Sequence, residues 1–171
     1  MAEQEFEFGS ADAQAEDAMA AVMNVDFNLE DEYKLAPLVP QGNYQGNVTN
    51  VSIDAKGHAI LWQVTLDGNG GYQSDGETPI DGQVMFYRAW LPKSGDDSEM
   101  IKSGGMTKRQ WKINALSDFS KGMGIDMSTP AVIKEAIENS DWIGIRVNMA
   151  VTFDEYQGVV RNQVNKMKKV D

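Results

Sequence analysis

An aromatic and cationic segment near the middle of the chain offers the clearest binding chemistry. Alternation over residues 83–91 places Phe86, Arg88 and Trp90 on one face of a predicted strand. Flat rings can stack on unpaired bases while a guanidinium binds phosphate, so this row suits single-stranded nucleic acid. The opposite face, with Tyr87 at its centre, is apolar enough to be the core. Alternation alone does not decide which face is exposed, so Tyr87 remains the alternative candidate for the exposed ring.

Basic residues elsewhere in the chain can add contacts to phosphate. Arg146 and Arg161 fall on two predicted strands that a tight turn joins, so we expect them to converge on one side of the fold. Each basic residue taken singly can equally be a solvated surface charge, and only the whole set favours binding. The remaining candidates follow the third strand, begin a predicted helix or lie near the end of the chain: Lys93, Lys108, Arg109, Lys112, Lys166 and Lys168.

Residues suited to catalysis are scarce. The chain has no cysteine and a single histidine, His58, which excludes thiolate metal sites and most histidine-based mechanisms. The acidic pairs Asp96–Asp97 and Asp154–Glu155 are expected to be solvated turn residues. No glycine cluster is followed by the Gly-Lys-Ser/Thr of a phosphate-binding loop. We therefore predict a protein that is not an enzyme and that needs neither a cofactor nor a metal.

The charge of the chain is unevenly distributed. The 171 residues carry a formal net charge of -11. Residues 1–36 hold 10 of the 26 acids and Lys34 as their only base, which leaves 16 acids and 14 bases for residues 37–171. We predict an acidic, flexible arm over 1–36, able to form a short helix, and a folded domain over 37–171. A nearly neutral domain can still carry a basic groove.

The elements that have to position these side chains are short strands separated by turns. Alternating apolar residues predict strands over 44–53, 58–66, 83–91, 142–153 and 159–167. Capping signals after the third strand predict helices over 107–122 and 129–139. This is the element order of the oligonucleotide/oligosaccharide-binding (OB) barrel. We therefore predict a mainly β fold, a five-stranded OB-like barrel with a helical insertion between the third and fourth strands and an acidic N-terminal arm.

Three local expectations accompany this fold. Trp111 falls on the apolar stripe of its helix and Trp142 opens a buried strand, so both are expected in the core. Gly46 interrupts the first strand and is expected to mark a β-bulge. The glycines between positions 68 and 76 predict a long flexible loop over 67–81.

The sequence also resembles a family of phage proteins first catalogued as a domain of unknown function and described as single-stranded-DNA-binding proteins. The resemblance begins at residues 6–8 (Phe-Glu-Phe) and at Pro40, Gly42 and Tyr44, which match a Pro-x-Gly-x-Tyr opening. It continues through segments 62–64 and 81–84 and ends at 161–166, an Arg-Asn-x-Val-x motif. It implies an OB-type barrel that binds single-stranded DNA, and no catalytic residue.

Two functions from different classes follow as expectations. The first is binding of single-stranded DNA in the host cell cytoplasm during phage replication or recombination, without a membrane, with the arm contacting replication or recombination proteins or competing for the groove. The second is a phage protein-interaction or virion-associated β-barrel module that does not bind nucleic acid and uses the arm for docking. A homo-oligomer is compatible with both, and an enzyme with an unrecognised site is a third interpretation.

Overall fold

The computed structural model describes the backbone of residues 2–171 and the side chains of residues 12–171, and the chain divides into two compact units, Met1–Ala36 and Pro37–Asp171. The first unit contains helix α1 (Ala2–Met23) and the short helix α2 (Leu29–Glu32). Every described side chain from 12 to 36 is exposed, so these residues build no core of their own. None of the helices described has the length and the apolar content needed to cross a membrane.

The second unit is built on five antiparallel strands with two helices between the third and the fourth, so the predicted mainly β fold with a helical insertion is confirmed. The elements are β1 (Gly42–Ile53), β2 (Ala59–Leu66), β3 (Val84–Trp90), α3 (Lys108–Met123), α4 (Pro130–Glu138), β4 (Arg146–Tyr156) and β5 (Val159–Lys169). The strand order is β3-β2-β1-β4-β5. Among the described strands no hydrogen-bonded ladder joins β3 to β5, so the expected closed barrel is not formed by backbone pairing.

Strand β1 bends because its two halves pair with different neighbours. Its first half pairs with β4 and its second half with β2, and Gly46 and Asn47 pair with both. A Cβ atom at Gly46 would lie 2.6 Å from the carbonyl oxygen of Thr65, so only glycine permits this close approach. The expected bulge at Gly46 is wrong: the register shifts between Val48 and Asn50 instead.

The core lies on the inner face of the curved sheet. All four alternate residues that the sequence assigned to one face of β2 are buried: Ile60, Trp62, Val64 and Leu66. The ring of Trp62 stacks on Trp142 with centroids 5.1 Å apart and meets Phe119 of α3 edge-on at 5.3 Å. Trp142 is therefore a core residue, as predicted, and the aromatic cluster fixes α3 against the sheet.

Two other expectations about burial are wrong. Trp111 is 48% exposed, because Phe119 and Met123 near the far end of α3 are the residues of this helix that reach the core. Strand β4 begins at Arg146 rather than at residue 142, and Phe153 on its predicted apolar face is exposed. Phe153 lies past Val151, the last β4 residue that pairs with β1. The turn end of the β4–β5 hairpin therefore extends beyond the end of β1.

Candidate nucleic-acid interface

The outward face of β3 carries two aromatic rings and a guanidinium. Phe86 is 68% exposed, Trp90 is 46% exposed, and Arg88 between them is also exposed. Tyr87 points to the inner face, where its ring stacks on Phe119 at 5.1 Å and burial raises the pKa of its hydroxyl. The structure thus decides which face of β3 is exposed, which alternation alone did not. Phe86, Arg88 and Trp90 face solvent, and Tyr87 belongs with the core.

Arg88 and Trp90 form a cation–π pair. The guanidinium carbon of Arg88 lies 5.2 Å from the centroid of the Trp90 ring. Among the ion pairs of the side chains described, Arg88 takes part in none. Because a cation–π contact uses the face of the guanidinium, its N–H groups remain able to bind phosphate in the plane.

The strands beside β3 continue this face with uncharged side chains. Gln63 of β2 pairs with Phe86, and Leu61 pairs with Arg88. Their partners on β1 are Asn50 and Ser52. The rows of Phe86 and Arg88 therefore contain no carboxylate to repel a polyanion. Together with Phe86, Arg88 and Trp90, these side chains form what we call the aromatic face.

A carboxylate does lie at the turn between β1 and β2. Desolvation acts to raise the pKa of the Asp54 carboxyl group. Hydrogen bonds from the backbone of His58 and Ala59 and the charges of His58 and Arg88 act in the opposite direction. Together they outweigh desolvation, so the pKa of Asp54 lies below its ordinary value. The Oδ1 atom of Asp54 accepts the His58 N–H at 2.7 Å. Asp54 is therefore committed to closing the turn.

The basic residues near the start of α3 are largely engaged with acids. Lys112 forms an ion pair with Asp96 at 2.7 Å, and their side chains are only 14% and 3% exposed. Asp96 also accepts the Lys93 N–H at 2.9 Å. The expectation that Asp96 is a solvated turn residue is wrong, because this carboxylate anchors the loop after β3 to α3. Lys112 is thus placed in a structural role.

The other cations of this region are accompanied by acids. Lys108 pairs with Glu99, while Lys93 and Arg109 are exposed. The region gathers several of the predicted cations but also Asp96, Asp97 and Glu99, so its local charge is nearly balanced. It can supplement binding at the aromatic face but is a weak anion site by itself.

Arg146 and Arg161 do not converge. Arg161 is paired in register with Asp154, eight positions along β4 from Arg146, which separates them by about 26 Å at about 3.3 Å per residue. Arg146 binds Asp67 at 3.2 Å. Arg161 lies 3.5 Å from Asp154 and 4.9 Å from the centroid of the Tyr156 ring. The expectation failed because the two residues lie at opposite ends of the hairpin.

Lys166 and Lys168 lie on the outward face of β5. Both are exposed, and neither forms an ion pair with any side chain that the structure describes. They border a shallow depression of about 380 Å³ that is also lined by Asn43, Asn148 and Ala150. The sequence singled out the two lysines but missed the amides, whose only signal was their alternation with apolar residues along β1 and β4.

The loop between β2 and β3 is held more firmly than its glycines suggested. The side-chain amide of Asn69 accepts the Gln45 N–H and donates to the Gln45 carbonyl oxygen, both at 2.8 Å. Asp81 accepts the N–H groups of Gly70 at 2.8 Å and Asn69 at 3.0 Å, which lowers its pKa. These contacts tie the loop to β1.

No family model matches the chain, and no curated protein matches it. Within the side chains described, His, Asp and Glu do not gather into a group of three that could hold a metal ion. The aromatic face and the exposed lysines of β5 are therefore the features on which a function has to be argued.

Proposed function

We propose that this chain is a single-stranded-DNA-binding protein of a bacteriophage, active in the host cell cytoplasm during DNA replication or recombination. The observation that carries the proposal is the exposed row of Phe86, Arg88 and Trp90 on β3. Exposed rings that are grouped beside a guanidinium form the kind of surface patch that marks a binding site. The resemblance to phage proteins described as single-strand binders points to the same ligand.

The fold we propose for this role is the OB barrel. Its support is that β3 and β5, the two edges of the sheet, approach within 8 Å between Cα atoms, and that α3 contacts both strands. In OB folds the exposed face of the second and third strands binds oligonucleotides. Phe86 and Trp90 lie on the exposed face of β3, the third strand of this chain.

Binding would combine stacking with phosphate neutralisation. Each base stacked on an aromatic side chain contributes about 1–3 kcal/mol, with little dependence on sequence because every base has a π face. Arg88 supplies the charge next to Trp90. A protein working in this way binds many sequences with similar affinity and loses affinity as salt rises.

In this proposal the acidic arm modulates binding or recruits partners. Its residues 1–36 carry a net charge of about -9, against about -2 for the rest of the chain. An anionic segment lowers the affinity for DNA by repulsion or by competing for the cationic surface. It can also bind basic patches on replication or recombination proteins, and self-association of the chain is compatible with either role.

A fluorescence titration with oligo-dT tests the proposal. Trp62 and Trp142 are buried, whereas Trp90 and Trp111 are exposed, so a Trp111→Phe variant leaves Trp90 as the accessible reporter. We expect quenching that saturates with oligo-dT and weakens with salt. Trp90→Ala with Trp111 intact is the matched control and should lose the quenching. Absence of both quenching and binding at low salt would remove the proposed function.

One observation favours a second candidate, a phage protein-interaction or virion-associated module. The end of the β4–β5 hairpin exposes four apolar side chains: Phe153, Tyr156, Val159 and Val160. Such a ribbon can dock on another protein by its edge or its faces. Wild-type protein that leaves oligo-dT unbound but self-associates, and that becomes monomeric on Val159→Lys, would favour this alternative.

A further inference from the structure

We propose that a second surface, the outward face of β1, β4 and β5, binds the phosphodiester backbone of the same single strand. This inference rests on the proposed function and extends it, because it adds a contact that involves no stacking. Strand register aligns three rows across these strands. The rows are Asn47–Arg146, Gln45–Asn148–Lys168 and Asn43–Ala150–Lys166. We call them the amide–lysine surface.

The composition of the amide–lysine surface is unlike that of the whole chain. The chain has 26 acids and 15 bases, yet the three rows contain no acidic residue. Arg146 at one border is bound by Asp67 at 3.2 Å. Lys166 and Lys168 are exposed and belong to none of the ion pairs among the described side chains. The available positive charge of this surface therefore lies on β5.

The depression in this surface results from a small residue between larger ones. Ala150 pairs with Asn43 on one side and with Lys166 on the other. Its methyl group leaves a floor, and the longer side chains form the walls of a hollow of about 380 Å³. That volume admits a phosphate group with several water molecules, since each water occupies about 30 Å³ in the liquid.

The lining groups can satisfy a phosphate diester. Each lysine offers three N–H donors, and each asparagine amide offers two. The oxygens of a phosphodiester accept such hydrogen bonds, and the group has no donor of its own. The three rows contain no carboxylate that would compete with it for the lysine and amide N–H groups. The three rows contain no aromatic side chain, and the aromatic face lies on β2, β3 and the second half of β1. We therefore expect a single strand to contact this surface through its phosphodiester backbone rather than through its bases.

The discriminating probe is an oligomer of abasic deoxyribose phosphates, which has a phosphodiester backbone but no ring to stack. In full-length protein we expect it to shift the backbone amide NMR signals of Asn148 and Ala150. Trp90→Ala should leave these shifts intact. Lys166→Gln/Lys168→Gln should abolish them, and so should Ala150→Leu, which fills the hollow without changing charge. Thr152→Leu, on the same strand and face, is the matched control.

Oligo-dT supplies the second measurement. For single strands each phosphate contact contributes about 0.7 to the slope of log K against log salt, so the double lysine variant should lose about 1.4. Lys134→Gln on α4, whose lysine pairs with Glu138, should leave the slope unchanged. Circular dichroism and thermal unfolding confirm that each variant is folded.

Each outcome separates this inference from the proposed function. Unmoved Asn148 and Ala150 signals with the abasic oligomer overturn the amide–lysine surface, whatever oligo-dT does at Trp90. Equal shifts with poly-glutamate overturn it as well, because they identify a surface for acidic polypeptides. If the abasic oligomer binds here while oligo-dT fails to quench Trp90, the phosphate contact stands and stacking on the aromatic face fails.

Discussion

The side-chain amide of Asn162 binds both backbone groups of Val39, 123 positions away. It accepts the Val39 N–H at 2.9 Å and donates to the Val39 carbonyl oxygen at 2.8 Å. Val39 is fully buried, so its backbone groups have little access to water as a substitute. A single residue of β5 thereby fixes the segment that leads into β1.

Replacing this asparagine should destabilise the fold. Because Asn162→Ala leaves a buried N–H and a buried carbonyl without partners, we expect a loss of about 1–3 kcal/mol in the free energy of unfolding. Denaturation in urea measures it. Asn165→Ala on the same strand, where the side chain is exposed, serves as the control and should change stability by less than about 0.5 kcal/mol. Equal effects of the two substitutions would contradict the role assigned to Asn162.

Glycine substitutions at two positions should have opposite signs. At Gly46 a Cβ would lie 2.6 Å from the Thr65 carbonyl oxygen, whereas at Gly122 of α3 it would lie 3.6 Å from the nearest atom. Gly46→Ala should therefore cost about 1–3 kcal/mol through overpacking. Gly122→Ala should gain about 0.5–1 kcal/mol, because alanine restricts the unfolded chain and favours helix. Thermal unfolding of both variants gives the comparison.

The buried pair of Asp96 and Lys112 should make stability depend on pH. The hydrogen bond from Lys112 and the backbone N–H of Lys93 lower the pKa of Asp96 from its ordinary 3.8. The folded state therefore favours the ionised carboxylate, so this contribution is present above 3.8 and is lost as pH falls towards the lower folded pKa. Urea denaturation between pH 2.5 and 6 should show a smaller pH dependence in Asp96→Asn. An unchanged profile would show that the pair does not control acid stability.

The cation–π pair should contribute to DNA binding through both members. Trp90→Ala should weaken binding of oligo-dT by about 1–3 kcal/mol, roughly 5- to 150-fold. Arg88→Ala should also weaken binding and should lower the salt slope by about 0.7, the contribution of one phosphate contact. Tyr87→Phe keeps the inner ring and should bind as tightly as wild type. Anisotropy of a labelled oligonucleotide over a salt series measures all three.

Removing the acidic arm should strengthen DNA binding. Residues 37–171 alone lack about nine negative charges, so we expect tighter binding of oligo-dT and a steeper dependence on salt. Adding a peptide of residues 1–36 in excess should partly reverse the gain at low salt. Identical affinities with and without the arm would leave recruitment of other proteins as its role.

The parts of the fold that follow from local periodicity were predictable. Alternation along β2 identified Ile60, Trp62, Val64 and Leu66 as one buried face, and these residues are buried. It also separated Phe86, Arg88 and Trp90 from Tyr87, without deciding which group faced solvent. The cap at Thr107 marked the start of α3, because its hydroxyl accepts the Gln110 N–H.

The predictions that failed concern residues whose environment is set by parts of the chain distant in sequence. Trp111 lies on the predicted stripe of α3, but packing against Trp62 takes place at Phe119 instead. Asp96 looked solvated because its partner Lys112 lies beyond an intervening loop.

By itself, the sequence determined the alternation of each strand, the helix caps, the separation of charge between residues 1–36 and 37–171, and the side chains able to stack or bind phosphate. The tertiary structure alone decided that the β3 row faces outward, that Arg146 and Arg161 lie apart, and that Ala150 lies between Asn43 and Lys166. The physical reason is that side-chain alternation is a property of one strand, whereas register and the buried face are set by packing among all of them.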